Sequence, residues 1–296
     1  MSVVHKDNKT LSVPSNYPER PRGTAVLMVE PDYYDVLYEI NPHMVGNIGS
    51  VDTDVAKEQW NSLRRVYESI GYTVHILKAV PELPDMVFAA NQTFPFVDGH
   101  GRRRVILSKM ASEHRQPEVP HFARWYEQNG FDVIYHSDPP IEFEGMGDAI
   151  WHPGRRLLYI GYGYRTKFGA LQRAANCIHC DVIGLELINP HFYHLDTALS
   201  VINETTAIYV PEAFNEVGES ILQTMFERLI AVPLSEAKDG FVTNGHSPNG
   251  THFIVNKGNA VTISKLREIG IEVIEVDTAE FLKSGGSVFC MKMMLP

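Results

Sequence analysis

From Thr24 onward, short apolar strands alternate with stretches of helical period. TAVLMV from Thr24 and RRVILS from Arg103 read as buried strands, and DVAKEQWNSLRRVYESIG between them places Val55, Trp60, Leu63, Val66 and Tyr67 at helical spacing. A helical stretch followed by a short β-branched strand then recurs: GYTVHIL from Gly71, GFDVIYH from Gly130, CDVIGL from Cys180, RLIAVPL from Arg228 and GIEVIEV from Gly270. The recurrences are roughly 40 to 60 residues apart, the range of a repeated supersecondary unit. In three of the five segments a glycine, Gly71, Gly130 or Gly270, stands between helix and strand, where a left-handed helix cap is wanted. The fold class is α/β. Periodicity alone leaves open whether the chain repeats one unit or builds an ordinary doubly wound sheet, which also alternates helix and strand.

The first 22 residues are polar and carry Pro14, Pro18 and Pro21, so residues 1–22 read as an N-terminal arm or disordered tail. No Gly-, Ser- or Pro-rich linker divides the remainder, and residues 23–296 read as a single domain. The segment NPHMVGNIGS from Asn41 reads as a loop over a site.

With 296 residues and 44% hydrophobic positions, the chain has ample material for a core. Lys plus Arg number 26 against 36 Asp plus Glu, a formal charge of −10. That balance argues against nucleic acid and anionic membrane surfaces as partners and favours a small cationic substrate. No apolar run approaches the roughly 18 residues of a spanning helix. The start, MSVVHKDNK, lacks a secretory layout, so a cytoplasmic location is expected. A homo-oligomer is left open. Three cysteines, Cys177, Cys180 and Cys290, are too few for a disulfide framework.

Familiar motifs fail on their spacing. Gly161-Tyr-Gly163 and Gly145-Met-Gly147 lack the third glycine of a dinucleotide fingerprint, having Thr166 and Ile150 in its place. GHSPNG from Gly245 is one residue too long for a nucleophile elbow. CIHC has no second pair to complete a zinc site, and HFYH from His191 lacks the glutamate of a metalloprotease helix. Neither metal nor cofactor is called for.

Four segments remain in which charged residues interrupt otherwise apolar strands: LPDMVFAAN, FEGMGDAIW, FYHLDTALSV and SGGSVFCMKMML. Buried charges need partners. Together these segments supply a thiol, an imidazole, several carboxylates and an amide, the general set for covalent catalysis by cysteine.

The order of these segments, with Cys290 close to the C-terminus, resembles the guanidino-group-modifying penteins: arginine deiminases, dimethylarginine hydrolases, glycine amidinotransferases and arginine dihydrolases. The resemblance runs from about Thr24 to the end of the chain. It implies a pentein five-bladed α/β propeller of pseudo-fivefold ββαβ repeats, which would account for the five recurrences. It also implies roles: Cys290 in GGSVFC as nucleophile, His194 in FYHLD as general acid and base, and Glu144 in FEGMGD as the acid orienting that histidine. Asp85 in PDMVF and Asp196 in HLD match carboxylates that grip a guanidinium. Arg165 in GYGYR and Asn41 in EINP match residues that hold the amino-acid end, and Lys109 in ILSKM stands where an arginine for the substrate carboxylate is expected.

Asn91 stands where deiminases and dimethylarginine hydrolases present aspartate. An aspartate only accepts hydrogen bonds, whereas an amide both accepts and donates and suits the neutral ureido group of citrulline as well. Together with EINP, FEGMGD and FYHLD, this is most similar to the arginine dihydrolases, which take arginine through two hydrolyses to ornithine, ammonia and carbon dioxide. The alternatives are a dimethylarginine hydrolase or a deiminase stopping at citrulline. An amidinotransferase and a non-catalytic, ribosome-binding type of pentein rank behind them. Proline formation is not expected of these residues.

Overall fold

All five recurring strands form, each as the last parallel strand of a separate small sheet in chain order. The structure, a computed structural model, describes residues 2–135 and 139–296. Ala25–Val29 pairs parallel with Thr73–Leu77 and antiparallel with Met293–Leu295. Thr93–Val97 runs antiparallel to Arg103–Leu107, which pairs parallel with Asp132–Ile134; His136, in the GFDVIYH segment, lies outside the described residues. Ala149–Trp151, Leu157–Tyr162 and Asp181–Glu186 repeat this order, as do Leu199–Val201, Thr206–Tyr209 and Arg228–Ala231. In the fifth sheet His252–Asn256 pairs parallel with Glu272–Val276, and an antiparallel bridge from His246 to Ile254 takes the place of the first strand. The architecture is mixed α/β, and its five sheets exclude one continuous doubly wound sheet.

A helix joins the parallel pair in every sheet: Thr53–Ser69, Val119–Gln128, Gly169–Ile178, Glu216–Met225 and Ala260–Glu268. Asp52 starts the first of them, its carboxylate accepting from the backbone of Asp54 and Val55. Trp60, Leu63 and Tyr67 face the core as their spacing requires, but Val55 is exposed and Ala56, one turn before Trp60, takes its place inside. Gly71, Gly130 and Gly270 all have positive φ, the backbone turn from helix into strand that a side chain would strain. Cys177 ends the third helix half-buried and Cys180 is buried beside the following strand, both free thiols.

The chain entering the first strand of each sheet makes a tight turn, and hydrogen bonds join these five turns in a circuit. Ala90 N–H donates to the Cys290 carbonyl, and Met146 N–H donates to the Ala90 carbonyl. Leu195 N–H donates to the Asp148 carboxylate, and the Thr243 hydroxyl to the Thr197 carbonyl. The Asn244 amide donates to the Asp196 carbonyl, and Phe289 N–H to the Asn244 carbonyl, which returns the circuit to the turn of Cys290. Polar backbone buried at the centre of the molecule is thereby paired.

Residues 2–22 follow the surface of this fold. Val4–His5 adds a parallel edge strand beside Asp181–Glu186, Tyr17 is buried, and the Arg20 guanidinium lies 4.5 Å from the Trp151 ring centre. An open sheet edge and an aromatic face capture a segment whose polarity alone suggested freedom.

Candidate active site

Asp85, Asn91, Glu144, His194 and Cys290 lie on or beside the central turns. Asp85 lies in the 3₁₀ turn Pro84–Val87, and Asn91 precedes the strand Thr93–Val97. Glu144 enters the one-turn helix Gly145–Asp148, and His194 enters its counterpart Leu195–Ala198. Asn244 ends the 3₁₀ turn Val242–Asn244, and Cys290 comes just before Met293–Leu295. Five copies of one structural position therefore converge, each bringing a different functional group. Asn41, Asp85, Asn91, Arg165, His194 and Cys290 line one narrow cavity of about 20 Å³, room for roughly one water.

One side of this cavity is fully paired. His194 Nε2 lies 2.6 Å from Glu144 Oε2, while Glu144 Oε1 accepts from Ala111 N–H at 2.8 Å and has Arg165 at 3.8 Å. Burial alone would raise the Glu144 pKa. The hydrogen bond and charge of His194, with the guanidiniums of Arg165 and Arg115, instead bring it down to about 2. Beneath this pair, Glu144 N–H donates to the Thr166 hydroxyl, which donates to Asp148, whose other oxygen accepts Leu195 N–H. The carboxylate and the imidazole are thus held before any ligand arrives.

The other side is left unpaired. Asp85 Oδ1, Asn91 Nδ2 and Asp196 Oδ1 are buried with no hydrogen-bond partner. Arg115 decides how the Asn91 amide sits: its Nη1 approaches within 3.0 Å, and a guanidinium only donates, so the Asn91 oxygen faces it and the NH₂ is turned to the cavity. Gly147 makes this position available, since a Cβ there would fall 2.2 Å from Asn91 Nδ2. Burial raises the Asp85 pKa against the opposing charge of Arg115, and it pushes Asp196 up to about 7. Two carboxylate oxygens and one amide donor without partners are the complement of a planar, multiply donating cation that can become neutral during reaction.

Cys290 sits between the two sides. Its thiol donates to Asp196 Oδ2 at 3.2 Å and accepts from Asn244 Nδ2 at 3.2 Å, while Asn244 Oδ1 receives Ser287 N–H and Cys290 N–H. Burial, and after it the adjacent Asp196, push the Cys290 thiol well above its ordinary pKa. A cation bound against Asp85 and Asp196 would oppose the second of these effects, which couples the Cys290 thiol to the charge of a ligand.

Eight of the nine residues expected from sequence converge here, with Glu144 and Asp196 supporting the wall through His194 and Cys290. Asn41 stands at the rim, its amide donating to the Ser284 carbonyl and its oxygen accepting His43 N–H. Arg165 donates to the Ile40 carbonyl at 2.7 Å and lies over the Tyr193 ring. Lys109 is not brought to this cavity. It lines a separate surface hollow with Gln116 and Val119, because its backbone bridges to Phe143 and turns the side chain away. The arginine that does reach the cavity is Arg115, six positions on, buried and paired with Glu118 at 3.0 Å. Its donors are committed to Glu118, to Asn91 and to the carbonyls of Asp85 and Phe88, so it scaffolds the unpaired wall. Sequence reasoning also missed Asn244. The signal was its place in the fifth repeat, where FVTNGH stands as the counterpart of FEGMGD and FYHLDT.

The chain is similar to known proteins over most of its length. The family model described as N,N dimethylarginine dimethylhydrolase, eukaryotic, matches residues 49–295. The chain is 34% identical over 270 residues to the bifunctional arginine dihydrolase/ornithine cyclodeaminase ArgZ of Synechocystis, covering 90% of this chain but only 37% of that protein's length. It is 33% identical over 271 residues to the N(G),N(G)-dimethylarginine dimethylaminohydrolase of Mycobacterium tuberculosis, covering 91% of this chain and 85% of that protein. Among solved structures, the N-terminal domain of ArgZ bound to substrate superposes with a TM-score of 0.85 at 34% identity, over 91% of this chain and 97% of that domain.

Proposed function

The chain belongs to the N,N-dimethylarginine dimethylhydrolase family, and from that premise we propose that it hydrolyses the guanidino group of L-arginine twice, as an arginine dihydrolase. The observation that carries the dihydrolase reading is the buried Asn91 amide, its NH₂ turned into the cavity and unpaired. The guanidinium of arginine takes Asp85 and Asp196 as acceptors in its plane, while Arg165 and Asn41 hold the amino-acid end. The Cys290 proton passes to His194, favoured by the charge of the substrate, and Sγ attacks the guanidinium carbon. His194, held by Glu144, protonates the departing nitrogen, which leaves as ammonia. The amidino group now on sulfur is released by a water that gives its proton to His194, forming citrulline and restoring the thiol. The ureido oxygen of citrulline then finds a donor in Asn91, where an aspartate would repel it; a second attack by Sγ on the same carbon expels a second ammonia, and a second water frees the thiol and a carbamate that breaks down to ornithine and carbon dioxide.

The five sheets, joined through their central turns, support reading the fold as a five-bladed propeller of ββαβ units, with residues 23–296 as one catalytic domain and residues 2–22 as an arm laid on it. No described helix is long and apolar enough to cross a membrane. With the acidic charge and free thiols, this fits an enzyme of the cytoplasm with a small cationic substrate and no nucleic-acid partner.

The experiment is a mass-resolved product assay run to completion on L-arginine, with citrulline and dimethylarginine as parallel substrates and Cys290→Ala as the blank. Ornithine from both arginine and citrulline is expected, with neither formed by the variant. Citrulline as end product, or turnover of dimethylarginine alone, would replace the dihydrolase reading by that of the Mycobacterium relative and leave the thiol chemistry standing.

A further inference from the structure

Behind the catalytic cavity lies a second one, which the reaction does not use. It has a volume of about 90 Å³ and is lined by Arg20, Arg22, His246, Ser247 and Lys292 among others, with no carboxylate in its wall. In a chain of formal charge −10, three cations around one pocket without an anion call for an explanation. Lys292 is fully buried, and no described carboxylate comes within ion-pair distance of it. Its ammonium instead rests 3.2 Å from the Phe289 ring centre, with the Met146 sulfur at 4.0 Å. Burial lowers its pKa to about 7 against the pull of Asp196 and Cys290 on its far side. Arg20 Nε and Ser247 Oγ are also buried and unpaired. The charges that act most strongly on Arg20 are like charges, those of Arg156 and Arg22. A buried ammonium without an ion-pair partner costs several kcal/mol, which a ring face offsets only in part.

We propose that this pocket is a binding site for a small oxyanion, of the size and charge of bicarbonate or inorganic phosphate, held by Arg20, Arg22, Ser247 and the ammonium of Lys292. About 90 Å³ is the liquid volume of roughly three waters, room for one such ion and little more. The tightly buried side chains around Lys292 give it no other source of negative charge on this side. Lys292 stands two positions after Cys290, and Asp196 and Cys290 both act on its charge, so the pocket adjoins the turn that carries Cys290.

The test is thermal unfolding at pH 7.5 with increasing sodium phosphate or sodium bicarbonate, each against sodium chloride at matched ionic strength. Either oxyanion should raise Tm saturably, by about 3 °C at tenfold over half-saturation. Arg22→Ala and Lys292→Met should each remove that response, and Arg22→Ala keeps the test open if the buried substitution fails to fold. Saturation by bicarbonate alone, phosphate alone or both supports the site. A wild-type response no larger than that of chloride, or one retained in Arg22→Ala, overturns it. The measurement requires no turnover of arginine, so its outcome is separate from that of the dihydrolase reading.

Discussion

The two sides of the catalytic cavity are built on opposite principles. On the His194 side each carboxylate oxygen of Glu144 and Asp148 has a partner, so the group that must move protons is held in one geometry. On the facing side Asp85, Asn91 and Asp196 each keep a buried polar atom unsatisfied. An unpaired buried polar atom costs about 1–3 kcal/mol, and a fold that carries three of them in or behind the wall of one small cavity gives up stability there. The difference separates two kinds of preorganisation: completed hydrogen bonds fix the machinery, and withheld ones define the ligand.

Breaking the paired side should produce the largest effect. Glu144→Gln keeps the shape but loses the charge that orients His194, and kcat should fall by about 10³-fold with a much smaller change in KM. Steady-state kinetics on arginine measure both, and an unchanged kcat would remove Glu144 from its role.

Changing the unpaired side should redirect the reaction more than stop it. Asn91→Asp turns an unpaired donor of that wall into an acceptor at the position that faces Arg115. Ornithine formation should fall at least about tenfold as citrulline accumulates. Continued ornithine release at the original rate would contradict the second-round role of the amide.

The carboxylates on the two sides should also titrate in opposite directions. Glu144, held at about 2, gives stability that is complete above its unfolded value near 4.5 and is lost as pH falls toward 2. Asp196, raised from 3.8 to about 7, does the reverse: its ionised form costs stability increasingly as pH rises through that interval. Asp196→Asn should therefore stabilise the protein at pH 8 by about 2 kcal/mol, a Tm rise of about 4 °C, with little gain at pH 4. Urea unfolding at the two pH values measures the difference.

The smallest effect belongs to a residue outside both walls. Lys109→Ala should leave KM for arginine within about twofold, since its side chain faces a separate hollow. A tenfold rise in KM would place Lys109 in the substrate path after all.

The sequence was most legible where chemistry and periodicity coincided. Four of the five central turns announced themselves because a charged residue breaks an apolar strand, an arrangement that burial penalises unless function requires it. The fifth turn carries Asn244, an uncharged amide in a Gly- and Pro-containing stretch, and such a residue looks like any loop asparagine until the repeat register is known. Arg115 was hidden for a different reason. It lies beyond the strand, in a polar run that reads as surface, and only its pairing with Glu118 allows it inward.

The amino-acid sequence by itself determined the alternation of helix and strand and the five recurring strands, because those depend on local periodicity, and its resemblance to the guanidino-group-modifying penteins pointed to Cys290, His194 and the acids expected to bind a guanidinium. Tertiary structure alone decided that the strands divide among five sheets and that one turn from each meets at the centre. It also turned the Asn91 amide toward the cavity, kept Lys109 out of it, and buried Lys292 beside a second pocket. Those outcomes depend on which groups find partners across distances in sequence of tens to hundreds of residues, and no local pattern records such pairings.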